Sequence, residues 1–155
     1  MIKPDASKAG KRTAIARRAL SVPARVLHET GRLKGRVLDY GAGRGGDTDR
    51  LSELGYDIHA YDPQWGPKKI SGTFNTIMCN YVLNVLPREA DKRLIANIRR
   101  LLRRGGVAYV TVRGDTKKFS KAGKWTGAET FQRDVYLPYK RVMGVTGNRM
   151  YEIRK

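Results

Sequence analysis

A short apolar strand running into a glycine-rich turn constrains this chain more than any other feature. Val37-Leu38-Asp39-Tyr40 leads directly into Gly41-Ala42-Gly43-Arg44-Gly45-Gly46. Glycines at this spacing let a backbone turn sharply and come close to a ligand, where side chains would obstruct it. The segment after the turn has a helical pattern, and a helix N-terminus offers free N–H groups to a carboxylate or phosphate. The unit therefore predicts strand, tight turn and helix in succession, with a ligand at the carboxyl end of the strand.

The rest of the chain repeats this alternation. Residues 35–40 read as a first strand, and residues 47–54 as a helix with Leu51 and Leu54 facing inward. Residues 56–61 read as a second strand ending at Asp62-Pro63, and residues 74–79 as the next. Residues 90–102 place Leu94, Ile98, Leu101 and Leu102 on one helical face, with Gly105-Gly106 as the stop. Residues 107–112 are the clearest buried strand. Ahead of the glycine turn, residues 14–20 look helical. Ser21 and Pro23 suit the start of a helix over 23–29, with Gly31 as its stop. Residues 114–128 read as a loop, and residues 130–137 and 141–145 have strand character. Thr146-Gly147-Asn148 reads as a hairpin turn into a return strand over 150–153. Strands alternating with helices predict a single Rossmann-like three-layer α/β/α domain. Its sheet is mostly parallel, with an antiparallel C-terminal hairpin.

At 155 residues the chain suits one domain. Residues 1–12 read as a basic, flexible arm and residues 13–155 as the domain. No apolar run is long enough to span a membrane, and the basic N-terminus lacks the apolar stretch of a secretory signal. The chain is expected to be cytoplasmic. Cys79 stands alone and His28 and His59 are isolated, so neither a disulfide nor a zinc site is predicted. The formal charge of +18 points either to a polyanionic partner such as nucleic acid, held by Lys and Arg, or to a simply solvated basic surface. The N-terminal cations Lys8, Lys11, Arg12, Arg17 and Arg18 and the loop cations Lys117, Lys118, Lys121 and Lys124 are candidates for phosphate contacts. Trp65 and Trp125 are either local packing anchors or platforms for an unstacked base.

Two ligand classes fit the glycine turn. Gly41, Gly43 and Gly46 match the G-x-G-x-x-G dinucleotide pattern, and Asp62 lies at a plausible distance for a ribose. Asp39 shifts the balance. It ends the strand two residues before the first glycine, where its charge would repel a pyrophosphate. It suits instead the ammonium of a cofactor that carries an amino acid.

The stretch Asp39-Tyr40-Gly41-Ala42-Gly43-Arg44-Gly45 resembles motif I of class I S-adenosylmethionine (SAM)-dependent methyltransferases. More narrowly, the chain from Pro23 to Pro87 resembles methyltransferases associated with DNA phosphorothioation and their small phage-like relatives. The resemblance implies SAM as cofactor, bound by Asp39, Gly41, Ala42, Gly43 and Gly45. It implies that Asp62 binds the ribose hydroxyls; Pro63, Gln64 and Trp65, which follow it, are this chain's own candidates to cover the adenine. Asn80 and Tyr81 would line the methionine and methyl end. The sequence departs from the family in one place. Only eleven residues, 63–73, separate Asp62 from Phe74, too few for a crossover helix together with a further strand. The third strand is therefore expected to be missing. Asn80-Tyr81-Val82-Leu83 stands where amino-methylating DNA enzymes carry Asn or Asp followed by Pro-Pro and an aromatic, which disfavours that scheme. No catalytic base is named by the sequence. A non-catalytic SAM-binding or nucleic-acid-binding accessory protein is the alternative function.

Overall fold

The computed structural model describes residues 19–116, 132–142 and 145–155. The elements are α1 (Val22–Glu29), β1 (Arg36–Tyr40), α2 (Gly46–Glu53), β2 (Asp57–Tyr61) and β3 (Phe74–Asn80). A 3-10 turn (Leu83–Val85), α3 (Ala90–Leu101), β4 (Leu102–Arg113), β5 (Lys140–Val142) and β6 (Asn148–Arg154) follow. The six strands form one sheet in the order β2-β1-β3-β4-β6-β5. β2, β1, β3 and β4 are parallel, and β6 runs antiparallel to both β4 and β5. The expected three-layer α/β fold with an antiparallel C-terminal hairpin is what forms. Residues 62–73 contain no strand or helix, so the sheet ends at β2 and the third strand is missing as expected.

Side-chain alternation along the strands splits the core into two layers. On one face Leu38, Ile77, Cys79 and Val110 pack with Leu94 and Ile98 of α3. On the other Val37, Met78, Tyr109 and Met150 pack with Ala24 and Leu27 of α1 and Leu51 of α2. α1 starts as read, with Ser21 Oγ accepting from Ala24 N–H at 3.4 Å. Ser21 is itself held by Asp47 of α2, through its N–H at 2.8 Å and its hydroxyl at 2.6 Å. This pins the entry of α1 to the first turn of the helix that follows the glycine loop.

Three readings are corrected. Leu54 is 55% exposed, because α2 ends at Glu53 and Leu54 caps it rather than facing inward. Gly105-Gly106 does not stop α3. The chain turns extended at Leu102 (φ −74°, ψ 139°), so helix and strand are contiguous. The glycines absorb an irregularity there, since Phe74 pairs with Leu102 but Thr76 with Val107. A Cβ on Gly106 would lie 2.9–3.1 Å from three backbone oxygens. Residues 132–137 form no strand. Arg133 holds them instead through a paired contact with Asp91 and a 2.6 Å bond to Leu86 O, and Arg149 binds Val135 O. The helix read over 14–20 falls almost entirely outside the described residues, as do the N-terminal cations, the lysines of the 117–124 loop and Trp125.

Candidate functional site

β1 delivers Asp39 to the carboxyl end of the sheet, where it is 3% exposed. Its Oδ2 accepts from Thr48 Oγ1 at 2.8 Å, in the first turn of α2. Burial pushes its pKa up to about 7; the Thr48 bond opposes this, and nearby Asp47 and Asp62 add to it. A charged carboxylate taken out of water is costly unless a cation or donors compensate it. Asp39 is thus a buried acid whose side chain is held by one hydroxyl, that of Thr48.

The turn after Asp39 has the backbone that glycine alone adopts cheaply. Gly41, Gly43 and Gly45 all have positive φ, at 81°, 56° and 79°. A Cβ at Gly41 would lie 2.4 Å from Val82 Cγ2, so the space as well as the torsion excludes a side chain. The turn is stitched to the neighbouring strand, because Gly41 and Ala42 both donate to Tyr61 O, at 2.7 and 3.0 Å. Gly45 then caps α2 without a side-chain bond. The first helical turn of α2 therefore has no side-chain cap on its amides.

Asp62 follows β2 and is 9% exposed. Its Oδ2 accepts from Gly43 N–H at 2.8 Å, and its Oδ1 from Gln64 and Trp65 N–H at 2.8 and 3.0 Å. This one carboxylate fixes both the glycine turn and the short crossover. A carboxylate has about four acceptor sites, so three amide bonds leave capacity for a further donor. Pro63 and Gln64 are exposed. Trp65 is 38% exposed, with the Arg44 guanidinium 4.6 Å from its ring centroid.

The carboxyl end of β3 is built differently. Asn80 has both side-chain amide atoms buried without a hydrogen-bond partner, and so does the Thr111 hydroxyl. Asn80 pairs in register with Thr111, and Asp39 with Met78. Asp39, Asn80 and Thr111 therefore share the α1 face of the sheet. Tyr81 adopts φ 62°, the one non-glycine residue with positive φ among those described. Its N–H donates to Thr111 O at 2.8 Å, and its hydroxyl accepts from Asn148 Nδ2 at 3.2 Å. A strained backbone of this kind costs on the order of 1–3 kcal/mol and persists where surrounding bonds impose it.

The structure thus brings Asp39, the glycine turn and Asp62 into one bonded unit, with Asn80 on the same face as Asp39. Tyr81 points toward the β6 hairpin. Sequence reading missed Thr48, Val82 and Thr111. Thr48 is detectable in principle as a hydroxyl in the first turn after a glycine loop, but Thr111 meets Asn80 only through strand register, and Val82, in the turn after β3, meets Gly41 only in the folded chain. His28 bonds Tyr56 at 2.7 Å and His59 bonds Asp57 at 2.8 Å, both away from this cluster. Cys79 is buried and its thiol pKa is pushed up by that burial, which keeps it a protonated core residue. No described helix is long and apolar enough to cross a membrane.

The comparisons with known proteins agree with this geometry. A structure solved for the conversion of a disulfide bond into a thioacetal group during echinomycin biosynthesis superposes with a TM-score of 0.62. It is 19% identical over 83% of this chain and 70% of its own. The glycopeptide N-methyltransferase MtfA complexed with SAM gives 0.52, at 16% identity over 89% of this chain and 68% of its own. A SAM-dependent methyltransferase from Archaeoglobus fulgidus gives 0.56, at 18% identity over 74% of this chain, which spans 62% of that protein's length. No curated protein matches the sequence. A family model described as a methyltransferase domain matches residues 12–140, and the chain belongs to that methyltransferase-domain family.

Proposed function

We propose that this chain binds SAM at the carboxyl edge of β1–β3 and transfers its methyl group to an acceptor. The observation that carries this reading is the buried Asp39 carboxylate beside three left-handed glycines. A buried acid with a raised pKa awaits a cation, and the SAM ammonium is one. The orphaned Asn80 amide fits the same ligand, since its donor and acceptor both lack partners.

Each residue then has a physical task. Asp39, held by Thr48, binds the ammonium. The uncapped amides of α2 face the methionine carboxylate. The glycine turn allows close backbone approach, and the remaining acceptor capacity of Asp62 serves the ribose hydroxyls. Asn80 orients the methionine end. SAM supplies a methyl carbon attached to a sulfonium leaving group, so alignment is the protein's main contribution, worth about 7–11 kcal/mol in favourable cases.

Nucleic acid is the proposed acceptor class, on the strength of the +18 charge. The narrower likeness to phosphorothioation-associated methyltransferases is consistent with that class and is part of the same proposal. The deciding experiment is transfer of labelled methyl from SAM to mixed RNA, DNA and protein, with SAM and NAD titrated calorimetrically in parallel. SAM binding with transfer to nucleic acid supports the reading. SAM binding without transfer to any acceptor makes the chain an accessory protein, and binding of NAD in place of SAM rejects the site.

A further inference from the structure

The missing third strand leaves a mark on the side of the sheet away from Asp39. Tyr40 and Tyr61 pair in register across β1 and β2 and lie on the α3 face, packed against its core. Beside them is an open cavity of about 430 Å³, bounded by Tyr40, Tyr61, Lys68, Ile70, Asn97 and Arg100. Residues 62–73 hold no helix, and among the described residues this corner is bounded by the extended crossover and α3.

The lining has a consistent chemistry. The two tyrosine rings lie 5.0 Å apart at a 47° tilt. Arg100 Nη2 donates to Asn97 Oδ1 at 3.4 Å, which places the guanidinium on the α3 side of the cavity. Lys68 and Arg100 are exposed, and no carboxylate lines the cavity. Among the described residues neither cation has an ion-pair partner. Arg36 adjoins the rim, its Nη1 being 2.6 Å from where a Gly72 Cβ would sit. Aromatic faces flanked by unpaired cations are the elements that hold single-stranded nucleic acid: rings stack on bases and cations track the phosphates.

The geometry points to a second binding site here, for a nucleotide unit of single-stranded nucleic acid, its base against Tyr61 and its phosphates at Lys68 and Arg100. The site stands on the opposite face from Asp39 and does not depend on methyl transfer. An acidic protein would satisfy the cations but gain little from the paired rings. The cavity volume also suits a single nucleotide better than a folded surface.

The test measures binding of a labelled 12-nucleotide oligothymidylate to the full chain across a salt series. Lys68→Ala/Arg100→Ala should weaken binding at least tenfold and reduce the salt slope by about 1.4, the value for two lost single-strand phosphate contacts. The control Arg25→Ala/Lys140→Ala removes the same charge from α1 and from the far edge strand, and should change both far less. Tyr61→Leu should weaken binding about fivefold or more with the slope unchanged, and circular dichroism checks that it folds. If Tyr61→Leu does not fold, the two charge variants still decide the matter. Equal losses in site and control variants overturn the proposal, because binding is then net charge alone. Equal affinity for polyglutamate that survives Tyr61→Leu also overturns it, in favour of an acidic protein. SAM affinity, followed separately, should be unchanged in Lys68→Ala/Arg100→Ala.

Discussion

The two halves of the carboxyl edge are built on opposite principles. Around β1 and β2 almost every polar group is spoken for. Asp62 takes three backbone amides, Tyr61 O takes two, and Asp39 is held by Thr48. At the ends of β3 and β4 the Asn80 amide and the Thr111 hydroxyl are buried with no partner, and Tyr81 is strained. The first half is a preformed cradle. The second holds unsatisfied groups, each costing about 1–3 kcal/mol, that a ligand would relieve. One side is fixed by its own hydrogen bonds, and the other keeps buried polar groups without a partner.

Breaking the cradle should have the largest effect. Asp39→Ala or Gly41→Val should lower SAM affinity by more than a hundredfold in calorimetry. The first removes the cation's partner, and the second places atoms against Val82 on a backbone suited to glycine. Asp39→Asn separates binding from folding. A folded-state pKa of about 7 against an ordinary 3.8 means that the native state holds this proton more tightly than the unfolded chain. Stability from this group is full below pH 4 and is lost as pH rises toward 7. The neutral Asn should therefore raise stability at pH 8 by a few kcal/mol, with about 4 kcal/mol as the ceiling, while SAM binding is lost. Urea unfolding and calorimetry on one preparation check both arms. A fall in stability would mean that Asp39 is compensated by more than Thr48.

Asp62→Ala tests the same half without a ligand. It leaves three amides without their acceptor, and charge-assisted bonds of this kind are individually worth about 1.5–3 kcal/mol. A loss of at least ~2 kcal/mol in urea unfolding of the free protein is expected. If stability holds and only SAM affinity falls, Asp62 belongs to the ligand alone. A 2′-deoxyribose analogue of SAM should lose less on this substitution than SAM does.

The pH dependence of binding follows from Asp39. Its ionised form is the one that pairs with an ammonium, so SAM affinity should fall about tenfold from pH 8 to pH 6. An affinity that stays flat over this range in calorimetry would show that Asp39 is not the group that pairs with the ammonium.

The smallest effect comes from the other half. Thr111→Val keeps the shape and removes a buried hydroxyl with no partner. Stability should be unchanged or rise by about 1 kcal/mol, the reverse of Asp62→Ala. A clear loss of stability would show that the hydroxyl is satisfied in solution and would remove the contrast between the two halves.

The cradle was legible because its determinants are local. Asp39, the glycines and Asp62 are close in sequence, and glycine spacing reports backbone torsion directly. The missing strand was legible from chain length alone, since eleven residues cannot hold a helix and a strand. Errors came where local pattern and tertiary packing diverge. Gly105-Gly106 has the signature of a helix stop but serves a bulge under crowded backbone oxygens. Residues 132–137 have strand-like composition, yet Arg133 and Arg149 tie them down as irregular chain.

The sequence by itself determined the strand–turn–helix unit, the alternation of strands and helices and the left-handed glycines of the turn, because torsional preference and spacing are properties of the chain. Only the tertiary structure decided that Asp62 bonds the glycine turn, that Asn80 and Thr111 meet unpartnered, and that Tyr40 and Tyr61 line an open corner on the reverse face. Those relations depend on which strands lie side by side and in what register. A one-residue shift of register would turn every one of these side chains to the other face.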